Sequence, residues 1–599
     1  MPIRCEINFP LLPTLSDEER QCRTFVDPVA VHVARRPDEV AGVLDALVAA
    51  SGRGNWCVGF VAHEAAAAFD SALQTRPADG CPLAWFAEFA QATEASLQEA
   101  LIPEASIPAG AAFTVSPWRT DTSSERFAAC VESIRADIRE GRFYQVNYTT
   151  RLNADFSGDA LMFYRALQAA QPRGYHAFID AGEFQLLSVS PELFFSLRDG
   201  VVTTQPMKGT APRGDTAEED AALAEVLTHS AKERAENLMI VDLLRNDLSR
   251  LATPNSVEVP HLFSLHPLPS VWQMTSTVRA RLRQTLTLKD VFVALFPCGS
   301  VTGAPKVEAM RAIVELESSP RGAYCGAIGM VAPDSTACFN VGIRSVWIED
   351  GRASFGVGSG ITYDSTVEGE AAELVYKSRF VQRASTRFDL FETIRLQEGE
   401  FTLLARHLDR MENSARHFRF RFDRRTAISR LEAVKQAHER GVWRCRLSCT
   451  VDGELTAKAV LLDPVPERPL VRLAASPVSS VDEFLQHKTT RRETYDLHAP
   501  ASSGAFDTLL WNERGELTEF TRANLVLRLG EDHVTPSLAS GFLNGTLREE
   551  LLASGRIVER VLSKSDLQKA DSIYWVNALR GQIKVSLVGA ASSELSVST

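Results

Sequence analysis

Apolar positions along the chain switch between two periods. In "DEVAGVLDALVAAS" (38–51) they recur three and four apart, which predicts an amphipathic helix. "SSERFAACVESIRADIREGRFYQVNYTTR" (123–151) predicts a helix leading into a strand, and "FQLLSVSPELFFSLRDGVVTTQP" (184–206) predicts strands that turn at Asp199-Gly200. "SAKERAENLMIVDLLRNDLSR" (230–250) predicts a long helix opened by Ser230 and Glu233 at capping-box spacing. "PEASIPAGAAFTVSPW" (103–118), rich in Pro, Ala and Gly, predicts a linker or long loop. A new strand pattern starts within 377–395, which predicts a domain boundary near 382–388. The resulting division is 1–115, 116–384 and 385–590, with 591–599 as a flexible tail. Repeats and low-complexity tracts are absent from the sequence.

At 599 residues the chain exceeds one ordinary hydrophobic core, so at least two domains are expected. A net charge of −12 argues against a nucleic-acid partner but leaves anionic small substrates open, because local sites can be positive. The ten cysteines lack C-x-x-C pairing, which predicts reduced thiols and no zinc site. No apolar run reaches the length of a membrane helix, and "MPIRCEINFPLLP" lacks a signal-peptide core. A cytoplasmic protein without membrane contact is expected.

Two features ask for chemistry. Lys208 stands in a tight apolar turn, "QPMKGTAPRG" (205–214). Glu233 and Glu236, and likewise Glu370 and Glu373 in "VEGEAAELVYKSR" (367–379), share a helix face by their spacing of three. Such pairs fit a hard cation held through oxygens and waters. On spacing alone a solvated acidic face is the favoured reading.

Around them lie "FPCGSVTGAPKVEAM" (296–310), "GAYCGAIG" (322–329), "FNVGIRS" (339–345) and "GVGSGITYDS" (356–365). With these motifs in order, residues 120–382 resemble the chorismate-utilising enzymes, which include anthranilate, aminodeoxychorismate, isochorismate and salicylate synthases. The resemblance implies an α+β fold, an antiparallel β-sandwich flanked by helices. It implies Glu236 and Glu373 as direct Mg²⁺ ligands, with Glu233 and Glu370 acting through water. Arg344 and Tyr324 would take the enolpyruvyl carboxylate, helped by backbone N–H groups near Gly358 and Gly360, while Thr302 and Gly303 line the pocket. Glu192 in "SVSPELFF" matches the general acid at the C4 hydroxyl. Gln145 stands where water-adding members carry a lysine base, which points to amination. Lys208 in "PMKGT" matches the "PIKGT" of aminodeoxychorismate synthases, where the lysine is a nucleophile toward C2. One departure is Gln273 in "VWQMTS", where many relatives have histidine. No glutaminase domain is evident, so ammonia is expected from a separate glutamine amidotransferase subunit.

Residues 388–590 resemble the fold-type IV pyridoxal-phosphate enzymes: branched-chain and D-amino-acid aminotransferases and 4-amino-4-deoxychorismate lyase. The stretches that carry this are "FETIRLQEGEFTLLARHLDRMENSARHF" (391–418), "HKTTRRETYD" (487–496), "LLWNERGELTEFTRANLVL" (509–527) and "GFLNGTLREELL" (541–552). The resemblance implies a two-subdomain α/β domain in which Lys488 binds the cofactor covalently and Glu519 pairs with the pyridine nitrogen. Arg410 and the backbone of Thr546 and Leu547 would hold the phosphate, with Asn577 a weaker candidate. This domain alone leaves lyase and aminotransferase open. Its fusion to a chorismate-aminating domain favours the lyase, and together they imply synthesis of 4-aminobenzoate. The alternative is an anthranilate-type synthase fused to an aminotransferase. A homodimer through the C-terminal domain is also expected by resemblance.

Overall fold

Backbone contacts gather the chain into two units, Met1–Thr386 and Arg387–Thr599. The computed structural model describes residues 3–10, 20–94, 113–214, 217–267, 271–467, 469–500 and 504–588. The tail expected at 591–599 and most of the loop expected at 103–118 lie outside the described residues.

The first unit is mixed α+β, built on two large antiparallel sheets. One runs from the edge at Gly303–Ala304 through Gln145–Gly158, Arg352–Ile361, Ser345–Glu349, Phe184–Ser190 and Tyr175–Asp180 to Arg4–Pro10 and Arg20–Val26. The other runs from Met207–Pro212 through Val271–Arg281, Val201–Gln205, Leu193–Arg198, Ala337–Val341 and Ala327–Val331 to Trp56–Val61, Ala84–Phe89 and Ala30–Ala34. The N-terminal stretch therefore supplies strands to both sheets: Arg4–Pro10 pairs with Tyr175–Asp180, and Trp56–Val61 with Ala327–Val331. Inward rows of both sheets meet in an aromatic core. Phe60 packs on Phe184 and Trp347 with centroids 5.9 and 5.8 Å apart. The turn expected at Asp199-Gly200 joins Leu193–Arg198 to Val201–Gln205, both residues at positive φ.

Helices cover the outer faces. Pro37–Gly52 buries Val40, Val43, Leu44 and Leu47, the periodic positions of its sequence. Ala160–Ala170 and Val367–Ser385 share a cluster with the outer face of the first sheet. Helix Ala231–Ser249 begins at Ser230, whose hydroxyl accepts from the Glu233 N–H at 3.3 Å. Only this half of the expected capping box forms, and Glu233 lies instead in the field of Glu236, Glu373 and Lys208.

The second unit holds a four-stranded antiparallel sheet built on Leu390–Gln397, Val442–Cys449 and Leu455–Leu461, packed by helices Leu404–Phe418 and Arg424–Ala437. Its other sheet is mixed, with Leu470–Leu473 running parallel to both Asp507–Trp511 and Gly581–Leu587. Leu517–Phe520 pairs with both Asp507–Trp511 and Asn524–Leu529, curling this sheet toward a small barrel. Among the described residues no helix is long and apolar enough to cross a membrane.

Candidate active sites

In the first unit a side-chain-free stripe forms the floor. Strand Arg352–Ile361 places Gly356, Gly358 and Gly360 on one face by its period of two. A β-carbon at Gly356 would lie 2.3 Å from the Tyr324 ring, and one at Gly358 2.5 Å from the Tyr148 carbonyl. At Gly360 it would lie 2.0 Å from Gln145 Nε2 and 3.3 Å from Lys208 Nζ. The missing side chain thus lets the Gln145 amide and the Lys208 amine reach one spot. Gln145 opens strand Gln145–Gly158, whose first seven residues are all buried although five are polar. Val146 and Tyr148 face the core; Gln145, Asn147, Thr149 and Arg151 alternate with them.

Glu192 is 4% exposed, and its Oε1 has no hydrogen-bond partner. Burial pushes its carboxyl up to about 7, against the pull of Ser300 and Lys208. A carboxyl that carries a proton near neutrality, beside an amine, suits a proton donor. Gln145 Oε1 is likewise buried without a partner.

The four glutamates come from two helices. Burial raises Glu233, with Glu236 and Glu373 adding like-charge repulsion. Burial also raises Glu370, and its Oε2 has no partner. For Glu373 burial is outweighed by Lys377, Lys208 and Lys232, so its carboxyl lies below the ordinary value. Lys377 Nζ stands 2.6 Å from Glu373 Oε1 and donates to the Gly358 carbonyl at 2.9 Å. Lys232 Nζ stands 4.0 Å from Glu236. Among the described residues no three acidic, histidine or cysteine groups close into a ready ligand cage. Mutually repelling carboxylates and one unpartnered buried oxygen fit a hard divalent cation that keeps several waters.

Tyr324 is held between Gly356 and the Arg151 guanidinium, 4.9 Å from its ring centroid. Arg344 takes a left-handed φ of 50°, stands 5.6 Å over Phe380 and donates to Gln171 Oε1. Burial lowers it to about 10, and no carboxylate among the described residues forms an ion pair with it. A half-buried guanidinium without an acidic partner suits an anionic ligand. Thr302 is wholly buried, and its hydroxyl donates to the carbonyls of Cys298 and Gly299, so it shapes the turn. Gly303 fits against the Gln145 carbonyl, 2.1 Å from where a β-carbon would be.

In the second unit Lys488 lies in a segment docked on strand Leu390–Gln397, through Phe391 N–H to the Lys488 carbonyl and Thr490 N–H to the Asp389 carbonyl. Its Nζ sits 4.9 Å from the Phe391 ring centroid. Burial brings its amine down to about 8, with Arg410 adding to the shift. Glu519 is 4% exposed and accepts from Tyr495 OH at 2.7 Å and Leu543 N–H at 3.2 Å. Burial raises it to about 7 despite those donors. Such a carboxyl fits a protonated ring nitrogen. Arg410 forks onto Glu392 at 2.8 and 2.7 Å and donates to the Asn544 carbonyl at 2.9 Å. The helix Thr546–Ala553 starts nearby with first-turn N–H groups that lack intrahelical partners. A β-carbon at its cap, Gly545, would lie 1.8 Å from Asn524 Oδ1, so the glycine lets the Asn524 amide pack against the helix start. Two guanidinium N–H groups of Arg410 remain beyond these three bonds, so the arginine and the helix start fit a phosphate. Leu547 also packs its side chain against Val526 and Val576. Asn577 is used elsewhere: it donates to the Arg522 carbonyl and accepts from Arg580 N–H.

Several contributors went unread in the sequence. Glu392 bridges Arg410 and His407, whose ring reaches on to Thr546 at 3.3 Å. The spacing of His407 and Arg410 on one helix face was the available signal. Tyr495, Ser300 and Asn237 join their sites through contacts between distant segments, for which the sequence holds no local sign, whereas Lys377 stands four residues after Glu373 on one helix face.

Comparison with known proteins agrees with this layout. The chorismate binding enzyme family matches residues 16–383, and the class IV amino-transferase family matches 389–588. Aminodeoxychorismate synthase component 1 of Klebsiella aerogenes is 44% identical over 267 residues, 44% of this chain and 58% of that relative. Anthranilate synthase component 1 of Acinetobacter calcoaceticus is 36% identical over 269 residues, 44% of this chain and 54% of that relative. The chain thus spans between half and two thirds of each of these two relatives. The menaquinone-specific isochorismate synthase of Escherichia coli, at 19% identity, shares the fold of the first unit with a TM-score of 0.50 over 64% of this chain and 96% of that one. The chain therefore belongs to the chorismate binding enzymes, with a class IV amino-transferase domain fused after the chorismate-binding domain.

Proposed function

We propose that the chain aminates chorismate at C4 and then releases pyruvate from the product, yielding 4-aminobenzoate. The observation that carries this is the Lys208 amine, which meets Gln145 over Gly360 within the field of the protonatable Glu192. Family membership implies Mg²⁺ for the first unit and pyridoxal phosphate for the second; bound, the cation would neutralise the ring carboxylate and the cofactor would withdraw electrons from the substrate amine carbon.

In the first unit Glu233, Glu236, Glu370 and Glu373 would hold the cation, and Arg344 with Tyr324 the second carboxylate. The Lys208 amine bonds to C2 while both ring double bonds shift and the C4 hydroxyl leaves as water, protonated by Glu192. Ammonia then bonds at C4, and the shift reverses to expel the Lys208 amine. Gln145 cannot remove a proton from water, which supports ammonia as the nucleophile. In the second unit Glu519 would pair with the ring nitrogen, and Arg410, Thr546 and Leu547 would hold the phosphate. Lys488 takes the proton from C4, and pyruvate leaves from C3 as the ring becomes aromatic. Ammonia would come from a glutamine amidotransferase subunit, a reading supported by the relatives being a component 1.

The test is a product assay of the full chain with chorismate, Mg²⁺, pyridoxal phosphate and an ammonium salt. Both 4-aminobenzoate and pyruvate are expected. Anthranilate would replace this reading with the second one, which rests on the anthranilate synthase relative. Aminated chorismate alone would keep the first half and leave the second unit as an aminotransferase or an inactive partner.

A further inference from the structure

Lys208 sits where its strand breaks register. Strand Met207–Pro212 pairs antiparallel with Val271–Arg281, Met207 facing Thr275 and Thr210 facing Gln273. Regular pairing would set Gly209 opposite Gln273, so one extra residue lies between the two partners, a β-bulge. Gly209 takes the left-handed φ of +93° that suits it. Because side chains alternate with a period of two, the extra residue changes which way those around it project.

A bulge breaks the ladder, and here two side-chain amides take the carbonyls. Gln273 Nε2 donates to the Gly209 carbonyl at 2.9 Å, and its Oε1 accepts from Thr210 Oγ1 at 3.1 Å. Asn237 Nδ2 donates to the Lys208 carbonyl at 3.4 Å, and its Oδ1 accepts from Ser276 Oγ at 2.6 Å. Asn237 is wholly buried on helix Ala231–Ser249, one turn beyond Glu233, so it ties the glutamate helix to the lysine strand. We propose that Gln273, backed by Asn237, is a positioning residue whose amide closes the bulge that aims the Lys208 amine at Gly360 and Gln145. Both ends of the Gln273 amide are engaged by the strand, and an amide carries no proton to exchange near neutrality. Its role is therefore geometric.

The kinetic part rests on the proposed role of Lys208; a labelling part does not. The full chain and its Gln273→Leu variant are compared for steady-state amination and for the rate at which trinitrobenzenesulfonate labels Lys208, read by peptide mass spectrometry. The turnover number should fall at least about tenfold with KM for chorismate within about twofold, as misplacement of one reacting group predicts. Lys208 labelling should change at least about threefold while Lys232 and Lys377 label as before. Gln273→Glu keeps the acceptor and loses the donor to Gly209; it carries the same expectations if the leucine variant does not fold. Gln273→His should restore turnover, since its ring donates once and accepts once, and the rescue should fade below about pH 6.5 as the ring protonates. A raised KM with unchanged turnover would make Gln273 a substrate contact and overturn the inference, as would unchanged labelling. If the wild-type chain forms no aminated product, the proposed reaction falls, and the labelling comparison alone decides the geometry.

Discussion

Adding one methyl group at Gly360 separates catalysis from stability. The new carbon would lie 2.0 Å from Gln145 Nε2, 3.2 Å from its Cδ and 3.3 Å from Lys208 Nζ. Ordinary contact needs about 3.4 Å, so the amide nitrogen must withdraw by roughly 1.4 Å. What it meets is the end of a flexible side chain, and displacing that from its rotamer costs about 0.5–1.5 kcal/mol. Reacting groups moved by about 1 Å lose on the order of 100-fold in rate. At Gly358 the same methyl would meet backbone, the Tyr148 carbonyl at 2.5 Å and Thr149 Cα at 3.0 Å, which cannot swing aside. Gly358→Ala should therefore cost about 1–3 kcal/mol of stability as an overpacked strand. The assay pairs chorismate consumption with thermal unfolding for both variants. Gly360→Ala should unfold close to wild type yet lose about two orders of magnitude in rate. If it turns over within about threefold of wild type, or unfolds as early as Gly358→Ala, the convergence of Gln145 and Lys208 on this glycine is not what the reaction uses.

Three more expectations follow from the buried groups. Glu192, raised to about 7, is protonated below that pH, so chorismate turnover should fall as pH rises through 7; Glu192→Gln should remove this limb and most of the rate, and a limb that persists would clear Glu192 of the role. Lys488, lowered to about 8, is a free amine above that pH, so the rate of pyridoxal-phosphate attachment, followed by absorbance, should rise to a plateau through about 8, whereas a midpoint near the ordinary lysine value of 10.5 would contradict its burial. Glu392 is 1% exposed between Arg410 and His407, and removing it as Glu392→Ala leaves a mostly buried arginine without its carboxylate; urea unfolding should show a loss of about 3 kcal/mol, and a loss under 1 would mean that the pair is not isolated from water.

What could be read from the chain differs between its levels. Helices such as Pro37–Gly52 and the turn at Asp199-Gly200 were legible because period and turn chemistry are local. A new start near 382–388 could be read from the chain because a strand pattern returns after a helix; the contact units divide at 386. Lys208, Lys488 and the paired glutamates could be singled out as candidates through motifs in order, since a glycine beside a lysine and acids three apart survive as short strings. Other features arise only when distant segments meet. The sequence shows three alternate glycines; the tertiary structure shows that Gly360 is bare to admit Gln145 and Lys208, which lie 215 and 152 positions away. It shows Gln273 as a departure; pairing with the strand of Lys208 turns its amide onto a bulge that no single segment encodes. Net charge and spacing predict acidic helix faces, but burial and the nearby Lys377 decide that Glu370 rises and Glu373 falls. Residue types and their order thus determined which chemistry the chain can hold. Which atoms meet, and which of them carry protons at neutral pH, was decided by desolvation and by contacts that exist only in the folded chain.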